Sequence, residues 1–384
     1  MYKEELIKEA TDLAEKCRKV LHEMPERAFE EHETTAYIKK VCRDYPVREI
    51  DLGMDTGAVY WLDAGCEETV AFRADIDAVP TEKGPLHLCG HDAHTASLLG
   101  AMHYLCGLNG HGVRPPGQKL PYNVLFVFQP AEEGTRGARA MLEHGLLEKA
   151  PQRPVRIFGI HNRPEVPCGD IVVHKGPLMS EKSVFRISIK GVAGHGSLPH
   201  KCVDPIVAAA SLISSIQTIV SRNTDPFRPV ICTVNSVRAG DPDIAVPSDA
   251  FITGYIRSFD HDTHLRMEER LARLAESTAG AYECRCELKI TRMVPAVDNP
   301  EELYDIALKA AEAAAGKAHI TDSAPSLASE DFAVYGKEIP AFFYWAGSGT
   351  PGRENAPWHD PAFRVDDDYL KSAVPLICAV LTTE

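Results

Sequence analysis

NVLFVFQPAEEG, residues 123–134, is an apolar run broken by a proline and ending in two adjacent glutamates. Asn123–Phe128 reads as a β-strand, so Glu132 and Glu133 fall just past a strand's C-terminal end. Upstream, β-rich runs lie at Ala58–Leu62 and Val70–Arg73, with helical patterns at Glu4–His22 and Thr95–Cys106. Downstream come a helical pattern at Gly137–His144 and a strand, Val155–Ile160, that ends on His161. This alternation predicts an α/β domain, a mixed sheet with helices on both faces. In such sheets ligands sit at the strand ends, on the connecting loops.

The pattern changes near residue 180. Phe185, Ile187 and Ile189 alternate with Arg186, Ser188 and Lys190, a half-buried strand of period two. A helix follows over Asp204–Ser221, then strands at Val230–Ser236 and Ala250–Ser258, a charged helix over His264–Ala279, and a strand at Cys286–Thr291. The order β-α-β-β-α-β is that of a ferredoxin-like α+β domain. Residues 180–295 are therefore expected to form an inserted domain, with 1–179 and 296–384 making the α/β domain around it.

With a formal charge of −14 and no basic block, neither nucleic acid nor an anionic membrane is expected as a partner. The N-terminus, MYKEELIKEATDLAEKCRKVL, has no apolar signal core, and no stretch approaches the ~20 apolar residues of a membrane span. The 11 cysteines are scattered and odd in number, as expected of free thiols in a reducing cytoplasm. Cys284 and Cys286, one residue apart on a strand, could alternatively pair on a metal.

Chemistry concentrates in four places. HLCGHDAHT, His87–Thr95, sets one thiol, three imidazoles and a carboxylate around Gly90, which permits a turn that aims Cys89 and His91 at one ion. The alternative is a polar turn with Asp92 capping a helix at Thr95. Glu132 and Glu133 could divide labour, one holding a metal and the other taking a proton from metal-bound water. His161 in FGIHNRP and His359 in PWHDPAF complete the set, all on loops after strands.

The chain resembles the aminoacylase/carboxypeptidase-like two-metal amidohydrolase family, in its hippurate hydrolase, auxin-conjugate hydrolase and N-acyl-amino-acid amidohydrolase branch. The likeness rests on RADIDAVP (73–80), LCGHDAH (88–94), FQPAEEGTRGA (128–138), GIHNRP (159–164), GHGSLPH (194–200), GYIRSF (254–259), SEDFAVY (329–335) and HDPAF (359–363). It implies a metal-dependent exopeptidase-like catalytic domain with the insert as lid and dimerisation domain. It further implies two divalent ions, zinc or manganese, with cobalt and nickel as alternatives, held by Cys89, His91, Glu133, His161 and His359. Glu132 would be the general base and Asp75 would orient a ligand histidine. His195 would stabilise the oxyanion from a partner subunit of a homodimer, and Arg257 would bind the substrate carboxylate. The implied reaction is hydrolysis of an N-acyl amino acid to a carboxylic acid and an amino acid.

Three departures stand out. DIAVPSD places Ile244 where the family carries a substrate-binding Asn, TEKGPLH (81–87) is short, and LNGHGVRPPGQKLPY (108–122) is a Gly/Pro-rich insert. The alternatives are a dipeptidase or carboxypeptidase on the same centre, a thiol hydrolase with Cys89 as nucleophile, and a metal-bearing binding protein without turnover.

Overall fold

Three strands have no exposed face: Thr69–Asp75, Asn123–Gln129 and Ala341–Gly349 are buried along their whole length. Strands of this kind need cover on both sides of their sheet. The computed structural model, which describes residues 2–109, 120–240 and 245–384, supplies it. Ile244 and residues 110–119 of the insert lie outside the described residues.

The chain divides into two units, the first made of residues 1–176, 298–324 and 331–384 and the second of 177–297 with 325–330. In the first, eight strands form one mixed sheet in the order Arg48–Glu49, Ala58–Leu62, Asn123–Gln129, Thr69–Asp75, Arg156–Pro167, Ala341–Gly349, Ile171–Val172, Ile320–Thr321. Its central pairings are parallel, from Thr69↔Asn123 through Val70↔Arg156 to Ala341↔Ile157. On one face the helices Tyr2–His22, His91–Leu108, Glu301–Ala315 and Leu370–Val380 pack together over Phe72, Phe126, Phe158 and Tyr344. Gly100 allows the closest approach there, since a Cβ at that position would sit 2.7 Å from the Ala10 carbonyl oxygen. The helix Gly137–Glu143 and the 3-10 segment Asp331–Lys337 lie against the sheet as well. The α/β expectation holds, with its parallel strand ends gathered on one edge.

The boundaries of two elements near the strand ends differ most from those expected. The strand expected to stop at Ile160 runs Arg156–Pro167, because its far end keeps pairing with Ala341–Gly349 out to Gly349↔Pro167. The helix expected from Thr95 starts at His91, directly after Gly90.

In the second unit, four antiparallel strands run in the order Val230–Ala239, Asp249–Ser258, Glu181–Lys190, Arg285–Val294. With the helices Pro205–Asn223 and His261–Ala281 this is the expected ferredoxin-like arrangement. Phe185, Ile187 and Ile189 point inward against Leu212, Ile216, Met267 and Leu271. The segment 325–330, which the sequence reading kept with the first domain, pairs here: Ser326 and Leu178 share a backbone hydrogen bond of 2.9 Å, as do Ser180 and Ala328 at 2.8 Å. Cys284 and Cys286 both join this apolar core.

Among the described residues, one helix, Pro205–Asn223, is long and apolar enough by length and composition to cross a membrane. One face of it, formed by Ala208, Leu212, Ile216 and Ile219, is buried in the core of its own unit.

Candidate metal centre

The centre is built where strands of the first unit end. Gly90, with φ +86°, takes the left-handed conformation that starts the helix His91–Leu108. A side chain there would also collide, a Cβ lying 2.5 Å from Nδ2 of Asn162, which donates a short hydrogen bond to the Cys89 carbonyl. Gly90→Ala is therefore expected to lose at least about 1–2 kcal/mol from the conformation alone and to release metal. Denaturant unfolding with metal analysis checks this, and unchanged values for both would contradict it.

Left-handed backbone recurs around the site. Ala131 (φ 59°) and Thr135 (φ 52°) flank the glutamates, and His359 itself has φ 68°. Non-glycine residues held this way persist only where their surroundings enforce them, commonly at functional sites.

The five residues expected as metal ligands lie together. Cys89 Sγ is 3.4 Å from His161 Nε2, His91 Nε2 is 4.0 Å from Glu133 Oε1, and His359 Nε2 is 3.4 Å from that same oxygen. The donor atoms of Cys89, His91 and Glu133 all fall within 4.8 Å of one another. His91, His161 and Cys89 are buried, whereas the His359 side chain is 51% exposed.

The hydrogen bonds fix which atoms are free to bind. His91 Nδ1 faces the Asp77 carbonyl at 3.0 Å, and a carbonyl only accepts, so Nδ1 carries a proton and Nε2 is the nitrogen left to ligate. The same logic applies to His161, whose Nδ1 donates to the Asn162 carbonyl at 2.8 Å. His91 Nε2 and Glu133 Oε1 are buried without a hydrogen-bond partner. The ring nitrogen of His91 and a carboxylate oxygen of Glu133 thus lie 4.0 Å apart, with His359 Nε2 3.4 Å from the same oxygen.

For His91, burial disfavours charge, yet Asp75, Cys89 and Asp77 outweigh it and hold the imidazole well above its usual range, so the acidic surroundings favour positive charge at Nε2, where a proton and a metal ion compete. Burial, reinforced by Glu133, pushes the Cys89 thiol up to about 12, so a thiolate there needs a cation beside it. Burial, with His94 next, holds His161 well below its usual range, the neutral form that ligates metals. The donor set of thiol, imidazoles and carboxylate fits divalent metal ions.

Several supporting residues went unnoticed in the sequence. Asp77 holds His91 through its carbonyl and accepts the Glu133 amide N–H on Oδ2 at 2.9 Å, so one residue positions two members of the cluster. Asp75, expected to orient a ligand histidine, accepts instead from His94 Nδ1 at 2.7 Å and lies 3.6 Å from His91 Nε2. His94 is used on both sides, since its Nε2 accepts the Asn162 backbone N–H at 2.9 Å, which makes it a positioning group. Behind them Arg73, wholly buried, donates to Asp75 (2.9 Å), Gln129 (2.9 Å) and Asp331 (3.0 Å). The signals available were the second aspartate of RADIDAVP and the histidine three residues after His91.

Glu132 is buried, with a carboxylate oxygen within 4.8 Å of one from Asp331. Burial pushes Asp331 up to about 6, against the pull of Arg73. His195 and Arg257 belong to the second unit. His195 Nδ1 accepts the Ser197 backbone N–H at 3.2 Å, leaving Nε2 as the protonated, donating nitrogen on an exposed side chain. Arg257 donates to the Leu327 carbonyl at 2.7 Å and lies over the Tyr255 ring at 5.0 Å.

Residues 71–382 match the model of peptidase family M20/M25/M40. The chain belongs to this family. It is 36% identical to an N-acetylcysteine deacetylase of Bacillus subtilis over 93% of this chain and 92% of the relative. It is 31% identical to thermostable carboxypeptidase 2 of Saccharolobus solfataricus, over 95% and 93%. Among solved structures, a Bacillus subtilis dinuclear metal-binding peptidase of the M20 family superposes with a TM-score of 0.80 at 32% identity, covering 98% of each chain. This M20 chain is thus a hydrolase of a metal-binding family, with its candidate ligand groups at the ends of the central parallel strands.

Proposed function

We propose that this M20 protein hydrolyses the amide bond of N-acyl amino acids, releasing a carboxylic acid and an amino acid. The observation that carries the proposal is the convergence of Cys89 Sγ, His91 Nε2 and a Glu133 carboxylate oxygen within 4.8 Å of one another. Cys89, His91, Glu133, His161 and His359 would hold two divalent ions, zinc or manganese first and cobalt or nickel as alternatives. Bound there, the ions would supply an acidified water and polarisation of the acyl carbonyl. Glu132 takes the proton of the attacking water and returns it to the leaving nitrogen, a general acid–base role its buried position suits. His195 offers Nε2–H to the oxyanion, serving a partner subunit of a homodimer, and Arg257 offers its fork to the free carboxylate. The 180–295 domain acts as lid and dimerisation domain, and the protein works in the cytoplasm on small molecules, without nucleic acid or membrane. Asp75 and Asp77 position the imidazoles.

The likeness to the B. subtilis deacetylase supports an acyl group on the substrate nitrogen. The likeness to a carboxypeptidase favours peptides as the second reading. Chelation is expected to lower hydrolysis of an N-acyl-amino-acid panel by about 10²-fold or more, since the ions supply several kcal/mol of transition-state stabilisation. Adding back one of the four metals restores it. Turnover that survives complete metal removal would overturn the proposal, and a preference for aminoacyl over N-acetyl and N-benzoyl substrates would move it to the peptidase reading.

A further inference from the structure

In a chain with a net charge of −14, three arginines of the second unit, Arg228, Arg266 and Arg270, line one cavity of about 280 Å³. It lies where the helix Pro205–Asn223 ends and the helix His261–Ala281 begins, with Met267 as part of its apolar lining. Arg228 Nη1 and Arg266 Nη2 both donate to Thr263 Oγ1, at 3.1 and 2.9 Å, which draws two guanidinium groups onto one hydroxyl. Like charges this close repel unless negative charge lies among them.

The carboxylates nearby offset the charge only in part. Asp260 Oδ1 is 2.5 Å from Arg228 and 3.8 Å from Arg266, but the same oxygen also accepts the Thr263 backbone N–H and hydroxyl at the start of the helix. Asp225 is engaged by the backbone N–H of Phe227 at 3.0 Å. Three cations thus face two carboxylates. Arg270 adds the decisive atom: its Nη2 donates to Asn223 Oδ1 at 3.2 Å, while its Nε is buried and has no hydrogen-bond partner. A buried N–H donor without an acceptor is destabilising, so the Arg270 guanidinium is not fully satisfied by the protein around it.

We propose that this cavity binds a small phosphate-class oxyanion, free or as the ester of a small molecule. Arginine forks converging from several backbone positions suit a tetrahedral dianion with several acceptor oxygens better than a single carboxylate. The volume lies just under the roughly 300–1,000 Å³ of small-molecule sites, which admits a compact ligand. None of these residues takes part in the proposed hydrolysis, so the inference stands apart from that reading.

The test is calorimetric titration of the full, metal-loaded protein with inorganic phosphate and, separately, glycerol phosphate, at ionic strength held constant with chloride. Saturable binding is expected, and Arg270→Gln weakens it by about tenfold through loss of a charge-assisted donor. Arg266→Gln, at a side chain 63% exposed and safe for the fold, weakens it as well. Both variants keep the wild-type metal content and hydrolysis rate. Tighter binding of the ester names a phosphorylated small molecule as the ligand, and tighter binding of inorganic phosphate names the free ion. Phosphate binding that neither variant weakens, as expected of coordination at the metal centre, overturns the proposal. So does no binding up to about 10 mM.

Discussion

Glu132→Gln is expected to keep the metal content and fold of the protein and to lower hydrolysis by about 10²–10⁴-fold, the usual contribution of a positioned general base. The two side chains are nearly the same size, so the buried position after the strand Asn123–Gln129 stays filled. What changes is basicity, because an amide cannot take a proton from water. Stability should change little, because the amide fills the space of the carboxylate it replaces. Steady-state kinetics, metal analysis and thermal unfolding on one preparation check all three. Turnover near the wild-type rate would remove Glu132 from the base role, and lost metal would make it a ligand or a support for one.

Arg73→Met is expected to destabilise the first unit by about 3–5 kcal/mol, the cost of leaving buried charges without their partner. Arg73, Asp75 and Asp331 are all fully buried, and the guanidinium reaches both carboxylates and Gln129 at 2.9–3.0 Å. Asp331 is secured further by the Gln129 amide at 2.7 Å and the Ala138 N–H at 2.9 Å, whereas Asp75 relies on Arg73 and His94. Denaturant unfolding measures the loss. Adding Asp331→Asn to Arg73→Met should recover part of it, because one of the stranded charges is then gone. If the single substitution costs under about 1 kcal/mol, the carboxylates are neutral in the folded protein and the network is not ionic.

The legible parts of this chain are those whose signal is local. Period two at Phe185, Ile187 and Ile189 marked a sheet face that is buried as expected. The run NVLFVF marked a strand covered on both sides. Cys89, His91, Glu133, His161 and His359 could be singled out because ligand-type residues beside turns and strand ends are conspicuous within a few positions. The strand boundary at Ile160 was misplaced for the opposite reason, since pairing with Ala341–Gly349, far away in sequence, carries the strand on to Pro167.

Sequence alone thus determined the element order, the α/β and ferredoxin-like units and the identity of the conspicuous ligand-type side chains, because hydrophobic period and turn chemistry are written over short spans. The tertiary structure decided which atoms of those side chains are free. His91 presents Nε2 only because Asp77, 14 residues away, takes Nδ1. His94 is withdrawn from binding only because Asn162, 68 residues away, occupies its Nε2. Arg73 finds Asp331 across a separation of 258 residues. Hydrogen-bond partnership requires proximity in space, and no local pattern in the chain records which distant groups folding will bring within 3 Å of each other.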